Sequence, residues 1–246
     1  MQTKLSVNLN KVALLRNQRD VGYPSVVGFA RTVLAAGAHG VTIHPRPDER
    51  HIRQSDAYEL GELLAGEYPD DIEFNIEGNP TDDFLALVHR IRPTQVTLVP
   101  DAPDQATSDH GWPLEDEAEQ VRAILSDLKA GGMRTALFVD PDRDVIARAA
   151  EIGADRIELY TEPYAVAHAN GDYQASLKTY SECASHAVAS NLVVNAGHDL
   201  NLENLPPFRQ ALPALAEVSI GHAITADALD VGFSAAVKAY LDALKG

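Results

Sequence analysis

Eight times along this chain a short run of apolar and β-branched residues is followed by a turn and then by a stretch whose apolar residues recur at helical spacing. The runs read LSVNLN, GVTIHPR, IEFNIEG, QVTLVPD, RTALFVD, RIELYTE, LVVNAGH and EVSIGHA, and several carry Asn, His or Glu at or just beyond their C-terminal ends. Strands that alternate with helices in this way must lie parallel, and eight of them predict a (β/α)8 TIM barrel with its site at one mouth. The expected strands lie near residues 4–9, 40–44, 72–77, 95–99, 134–139, 156–160, 192–196 and 217–221, and a last helix over 227–244 closes the ring. The strands read as nearly continuous apolar runs, as expected when helices cover a parallel sheet. A doubly wound open sheet is the structural rival, weakened because no Gly-x-Gly-x-x-Gly follows the first strand.

Three segments, AAGAHGVTIH, KAGGMRTALF and EIGADRIELY, repeat one joint, in which a helix ends at glycine and a strand begins within a few residues. The length of 246 residues suits one such barrel, so residues 1–246 are expected to form a single domain. With 36 acidic against 20 basic residues the formal net charge is -16, which argues against a nucleic-acid partner. Cys183 is the only cysteine, so no intrachain disulfide is expected and its thiol reads as packed. The N-terminal residues lack the apolar core of a signal peptide, and no apolar run is long enough to span a bilayer. The expectation is a cytoplasmic protein without a membrane partner.

Two connections are long for a compact barrel, residues 10–24 after the first strand and 100–113 after the fourth. Both fall on the face where such barrels hold their sites, and the second, polar and punctuated by proline, reads as a lid.

His44 ends the second strand, Glu77 ends the third and His198 follows the seventh. Any one of them alone reads as a hydrogen-bonded structural residue. All three at one mouth form a candidate proton relay, because a carboxyl in an apolar wall and imidazoles near neutrality can pass protons in sequence. Zinc is the alternative, but the ligands are scattered and no His-Glu-x-x-His pair occurs, so no metal is expected. Anion-binding candidates are Arg46 and His51 after the second strand, Arg16 and Arg19 after the first, and the Gly221-His222 joint. At that joint a helix beginning near Thr225 would aim backbone N–H groups at a phosphate.

The segments VNLNKVALLRNQR, VTIHPRPDERHI, FNIEGN, LVVNAGH and SIGHAIT occur in this order. Together they resemble pyridoxine 5'-phosphate synthase, the ring-closing enzyme of vitamin B6 biosynthesis, over essentially the whole chain. The resemblance implies condensation of 3-amino-2-oxopropyl phosphate with 1-deoxy-D-xylulose 5-phosphate. It implies catalytic roles for His44, Glu77 and His198. It places Asn8, Arg19, Gly221 and His222 on the aminoketone phosphate, with a backbone contact beside His198. Arg46, His51, the Ser108 hydroxyl and the first-loop pair Asn10-Lys11 are placed on the sugar phosphate. Asn10-Lys11 stands where many relatives have Asp-His, Ser108 where they have Thr, and Asp199 where they have Gly; at Asp199 a backbone N–H is expected to survive. No cofactor is implied; the partners are small phosphorylated substrates and further copies of the chain, an octamer assembled from dimers. A phosphosugar isomerase or aldolase, or a non-catalytic barrel that binds phosphorylated ligands, would share part of this pattern.

Overall fold

The computed structural model describes residues 2–19, 21–68, 72–102, 105 and 107–245. The strands are β1 (Lys4–Asn8), β2 (Gly40–Ile43), β3 (Glu73–Gly78), β4 (Gln95–Leu98), β5 (Arg134–Val139), β6 (Arg156–Leu159), β7 (Val193–Gly197) and β8 (Leu215–Ile220). They close in chain order into one barrel, every pair parallel, with β8 returning to β1 through Lys4 opposite Glu217. The open-sheet rival is thereby excluded.

Successive residues of a strand point to opposite faces, and here the two faces differ in chemistry. Leu5, Val7, Val41, Ile43, Phe74, Ile76, Val96, Leu98, Leu137, Val139, Ile157, Leu159, Val194, Val218 and Ile220 are buried in the main apolar core. The alternate positions hold Ser6, Thr42, Asn75, Gln95, Thr97, Glu158, Asn195, Glu217 and Ser219, all buried and polar. The strands are therefore alternating, not the nearly continuous apolar runs read from the sequence. Helices bury the outer face, and the interior satisfies itself by hydrogen bonds such as Thr97 Oγ1 to Asn75 Oδ1 at 2.9 Å and Arg134 Nε to Gln95 Oε1 at 2.9 Å. An irregularity between Val194 and Asn195 shifts the register so that Asn195 faces Glu217, leaving Ala216 as the extra residue.

Eleven helices surround the barrel among the described residues: α1 (Asn10–Asn17), α2 (Val26–Ala35), α3 (Gln54–Glu67), α4 (Asp82–Ile91), α5 (Ala118–Ala130), α6 (Arg143–Glu151), α7 (Glu162–Ala169), α8 (Gln174–Ala189), α9 (Leu205–Ala211), α10 (His222–Val231) and α11 (Phe233–Ala243). Side-chain caps fix several starts: Ser25 accepts from the Gly28 N–H, Thr81 from Phe84, and Asp142 from Asp144 and Val145. The three repeated joints turn on Gly37, Gly132 and Gly153 at φ of 108°, 83° and 87°, a region closed to most side chains.

Two expectations are corrected. The first long connection contains α1, because Val12 and Ala13 bury one side of it and Arg16 rivets its end. Arg16 pairs with Asp56 and donates to the His51 carbonyl at 3.1 Å, so it braces the loop after β2. The last helix is also two helices: α10 begins at His222, earlier than Thr225, and Gly232 at φ 81° breaks it from α11. No described helix is long and apolar enough to cross a membrane.

Candidate active site

At the C-terminal mouth of the strands lies a cavity of about 470 Å³. His44, Glu77, His198, Asn8, Asn10, Lys11, Arg46, His51, Ser108, Asp199, Gly221 and His222 all line it. Arg19 does not: it sits in the exposed turn that ends α1. Phe138 and Val99 supply an apolar wall and, with Tyr160, form a small cluster separate from the main core.

Glu77 is held loosely, by Asn8 Nδ2 and Asn75 Nδ2, each at 3.5 Å, the outer limit of a hydrogen bond. Burial pushes its carboxyl well above the usual range, and the carboxylates of Glu158, Asp101 and Glu217 push the same way. His44 moves oppositely. Burial holds its imidazole well below 6.5, with Arg46, His51 and His198 adding to the effect, so it is unprotonated at neutral pH and free to accept a proton. His198 differs again. Burial would lower it, but the hydrogen bond and charge of Asp199, reinforced by Glu158 and Asp101, outweigh burial and raise it. One cavity thus holds a carboxyl disposed to keep its proton, a neutral imidazole and an imidazole disposed to be charged, the separation that acid/base chemistry needs.

Asn10, besides lining the cavity, braces its rim. Its Oδ1 accepts the His44 backbone N–H at 2.9 Å while its own N–H donates to Asn8 Oδ1 at 2.9 Å, which ties the start of α1 to both strand ends. Lys11, one residue on, lies close enough to His51 to help depress it. Burial first, then Arg46 and Lys11, bring His51 to about 4. Its Nδ1 accepts the Ile52 N–H, so the neutral ring carries its proton on Nε2 and serves as an uncharged donor. Arg46 is paired with Asp101, and the Ser108 hydroxyl donates to the same Asp101 oxygen at 2.6 Å. Both expected phosphate contacts are therefore engaged by a buried carboxylate. The Asp199 backbone N–H, expected on a phosphate, is directed at the Thr161 hydroxyl at 3.4 Å, and its carboxylate binds His198. Among the described residues no group of three or more His, Cys, Asp or Glu is placed to hold a metal ion.

The loop after β4 reaches across this site. Arg46 and Arg50 donate to the Gln105 carbonyl at 3.1 and 2.9 Å, Thr107 meets His198 Nε2 at 3.0 Å, and Trp112 anchors the far end through its Nε1 on the Leu98 carbonyl at 2.9 Å. Positions 103, 104 and 106 of the expected lid lie outside the described residues.

The family described as pyridoxal phosphate biosynthesis protein PdxJ matches residues 5–246. The chain belongs to the PdxJ family. It is similar to the pyridoxine 5'-phosphate synthase of Mesorhizobium japonicum, 53% identical over 244 residues and 99% of each chain. It is equally similar to that of Brucella abortus, 53% identical over 247 residues and the whole of both chains. Solved structures share the fold at low identity. Phosphoribosyl anthranilate isomerase from Thermus thermophilus superposes with a TM-score of 0.58 at 15% identity, covering 99% of this chain and 98% of its own. A 4-hydroxy-2-oxoglutarate aldolase superposes with a TM-score of 0.64 at 16% identity, covering 99% and 95%. PdxJ membership makes this barrel an enzyme of pyridoxal phosphate biosynthesis.

Sequence reasoning missed four residues in or beside this cavity: Glu158 and Thr107, which line it, and Asp101 and Tyr160, which contact Arg46 and His198 of its wall. Glu158 had a signal, because a carboxylate between Ile157 and Leu159 in a strand whose other face is apolar must point into the barrel. It is 4% exposed, lines the cavity and is raised to about 7, chiefly by burial. Gly197 makes room for it, since a Cβ there would meet the Ser219 carbonyl and stand 3.1 Å from Glu158 Oε1.

A carboxyl whose folded pKa exceeds its unfolded value binds more protons in the native state, so stability falls as pH rises between the two. For Glu158 that window runs from 4.5 to about 7. Glu158→Gln is therefore expected to melt like the parent at pH 4 and above it at pH 8, by at most about 3 kcal/mol. Calorimetry at the two pH values checks this; equal melting temperatures at pH 8 would mean that Glu158 ionises without penalty.

Proposed function

We propose that the chain condenses 3-amino-2-oxopropyl phosphate with 1-deoxy-D-xylulose 5-phosphate to give pyridoxine 5'-phosphate, inorganic phosphate and water. The observation that carries the reading is the convergence of His44, Glu77 and His198, with divergent proton affinities, on one cavity between two anion-binding ends.

One end is the Gly221-His222 joint, where the first N–H groups of α10 lack helical partners and favour an anion. The aminoketone phosphate belongs there, beside Asn8. The other end holds Arg46, His51, Lys11 and Ser108 and takes the sugar phosphate. A dianion arriving there competes with Asp101 for Arg46 and meets a neutral N–H donor in His51. Between the ends, Glu77 relays protons for imine formation and dehydration. His44 serves as base in the ring-closing carbon chemistry, for which its lowered pKa leaves it unprotonated. His198 donates from the opposite wall. The described part of the loop after β4, with Thr107 and Ser108 on the cavity wall, covers the bound pair and keeps water from reactive enamines. Arg19, outside the cavity in this chain, has no assigned contact.

Incubation with the two substrates, with chromatographic detection of pyridoxine 5'-phosphate, tests the reading; no product from a folded preparation refutes it. Resemblance also supports a cytoplasmic homo-oligomer built from dimers, which light scattering checks.

Lys11 carries a further expectation. Its position on the first turn of α1, beside His51, suits a cation for the sugar phosphate, and the aminoketone brings its own amine for imine formation. Lys11→Arg should keep most activity, while Lys11→Ala should raise KM for the deoxyxylulose phosphate roughly tenfold with less change in kcat. Borohydride trapping of substrate on Lys11, with an inactive Lys11→Arg enzyme, would instead mark a covalent role.

A further inference from the structure

His198 occupies an unusual backbone position for a residue with a Cβ. Its φ of 41° lies in the left-handed region, immediately after the last residue of β7. That conformation costs about 1 kcal/mol or more and persists only where the surroundings hold it. Three contacts hold this ring: Asp199 Oδ2 stands 2.7 Å from Nδ1, Thr107 Oγ1 stands 3.0 Å from Nε2, and Tyr160 meets it edge-on at 6.1 Å. Asp199 directly follows this histidine in the chain. Its N–H faces Thr161, so its carboxylate is what it contributes to the cavity wall.

Resting on the proposed reaction, we infer that Asp199 is a positioning residue whose carboxylate fixes the proton of His198 on Nδ1 and confines its proton exchange to Nε2, the nitrogen at Thr107. In the neutral ring Nδ1–H donates to Asp199 and Nε2 accepts the Thr107 hydroxyl proton. In the imidazolium both nitrogens donate, Nδ1–H to Asp199 and Nε2–H on the Thr107 side of the cavity. Each cycle moves one proton through Nε2, and Asp199 stays ionised throughout. Glycine at this position would leave Nδ1 without the carboxylate and both tautomers accessible.

The charge around His198 comes from every element packed on it. Asp199 adjoins it, Glu158 and Tyr160 come from β6 and its end, Asp101 and Thr107 from the loop after β4, and His44 from the end of β2. Asp199 is the acidic group in hydrogen-bond contact, so its removal has the largest effect on the ring.

The test compares the full chain with Asp199→Asn, which keeps an acceptor of the same shape and removes the charge. Histidine nitrogen NMR, with the His198 signals assigned by their loss in His198→Asn, reads tautomer and pKa directly. The expected result is a downward shift of the His198 titration by about one pH unit or more. The alkaline limb of kcat for pyridoxine 5'-phosphate formation should move down by the same amount, while both KM values change less than about threefold. If Asp199→Asn does not fold, Asp199→Gly, which removes the whole side chain, serves in its place. An unchanged His198 titration overturns the inference. So does a shifted titration with an unmoved alkaline limb. Absence of turnover in the parent chain would refute the proposed reaction instead, and the titration would still decide whether Asp199 sets the proton position.

Discussion

Glu77→Gln is expected to lower kcat by roughly a hundred- to ten-thousand-fold while both KM values stay within a few-fold, because the loss of one positioned proton carrier has that magnitude. The amide fills the same volume and can still meet Asn8 and Asn75, so the cavity keeps its shape. The native enzyme already holds this carboxyl well above its ordinary range, through burial first and then Glu158, Asp101 and Glu217. Glutamine therefore mimics the protonated form and removes only the ability to give the proton up. His44→Asn and His198→Asn should each cost a comparable factor. The double variants should lose much less than the product of the single losses, because a relay interrupted once is already interrupted. Steady-state assays with single-turnover controls check this. Near-parental activity in Glu77→Gln would remove Glu77 from the chemistry, and multiplicative losses would mean that the three groups act in separate steps.

Strand-end residues were legible in the sequence because a parallel barrel forces its chemistry to one mouth. Once LSVNLN, GVTIHPR and LVVNAGH are read as strands of one barrel, Asn8, His44 and His198 have nowhere else to go. Interior residues were less legible. Glu158 and Glu217 sit within strands whose apolar half dominates the eye, and only the alternation, fixed by which face the helices cover, reveals that they point inward. The duties of individual side chains were least legible of all. Asn10 bonding to the His44 backbone, Arg16 to Asp56 and Asp101 to Arg46 depend on contacts between residues tens of positions apart. The first long connection misled for a related reason. Its polar ends read as loop, yet burial of Val12, Ala13 and Arg16 makes Asn10–Asn17 helical.

Arg46→Ala is expected to damage stability and binding together, and the two effects can be separated. Arg46 and Asp101 have side chains only 5% and 2% exposed, and Asp101 Oδ1 has no hydrogen-bond partner among the described residues. Removing the guanidinium leaves a buried carboxylate that, among the described residues, only Ser108 supports, a change that typically costs about 3–5 kcal/mol. In a chain of this length that lowers the melting temperature by roughly 10 °C. Binding of deoxyxylulose phosphate should weaken about 10- to 150-fold, the range expected when a charged hydrogen-bond donor is lost. Adding Asp101→Asn to Arg46→Ala removes the stranded charge. Much of the melting temperature should return while the KM for deoxyxylulose phosphate stays high, because the amide cannot replace a cation. If the double variant recovers affinity along with stability, Arg46 serves only to neutralise Asp101, and the sugar phosphate must depend on Lys11 and His51.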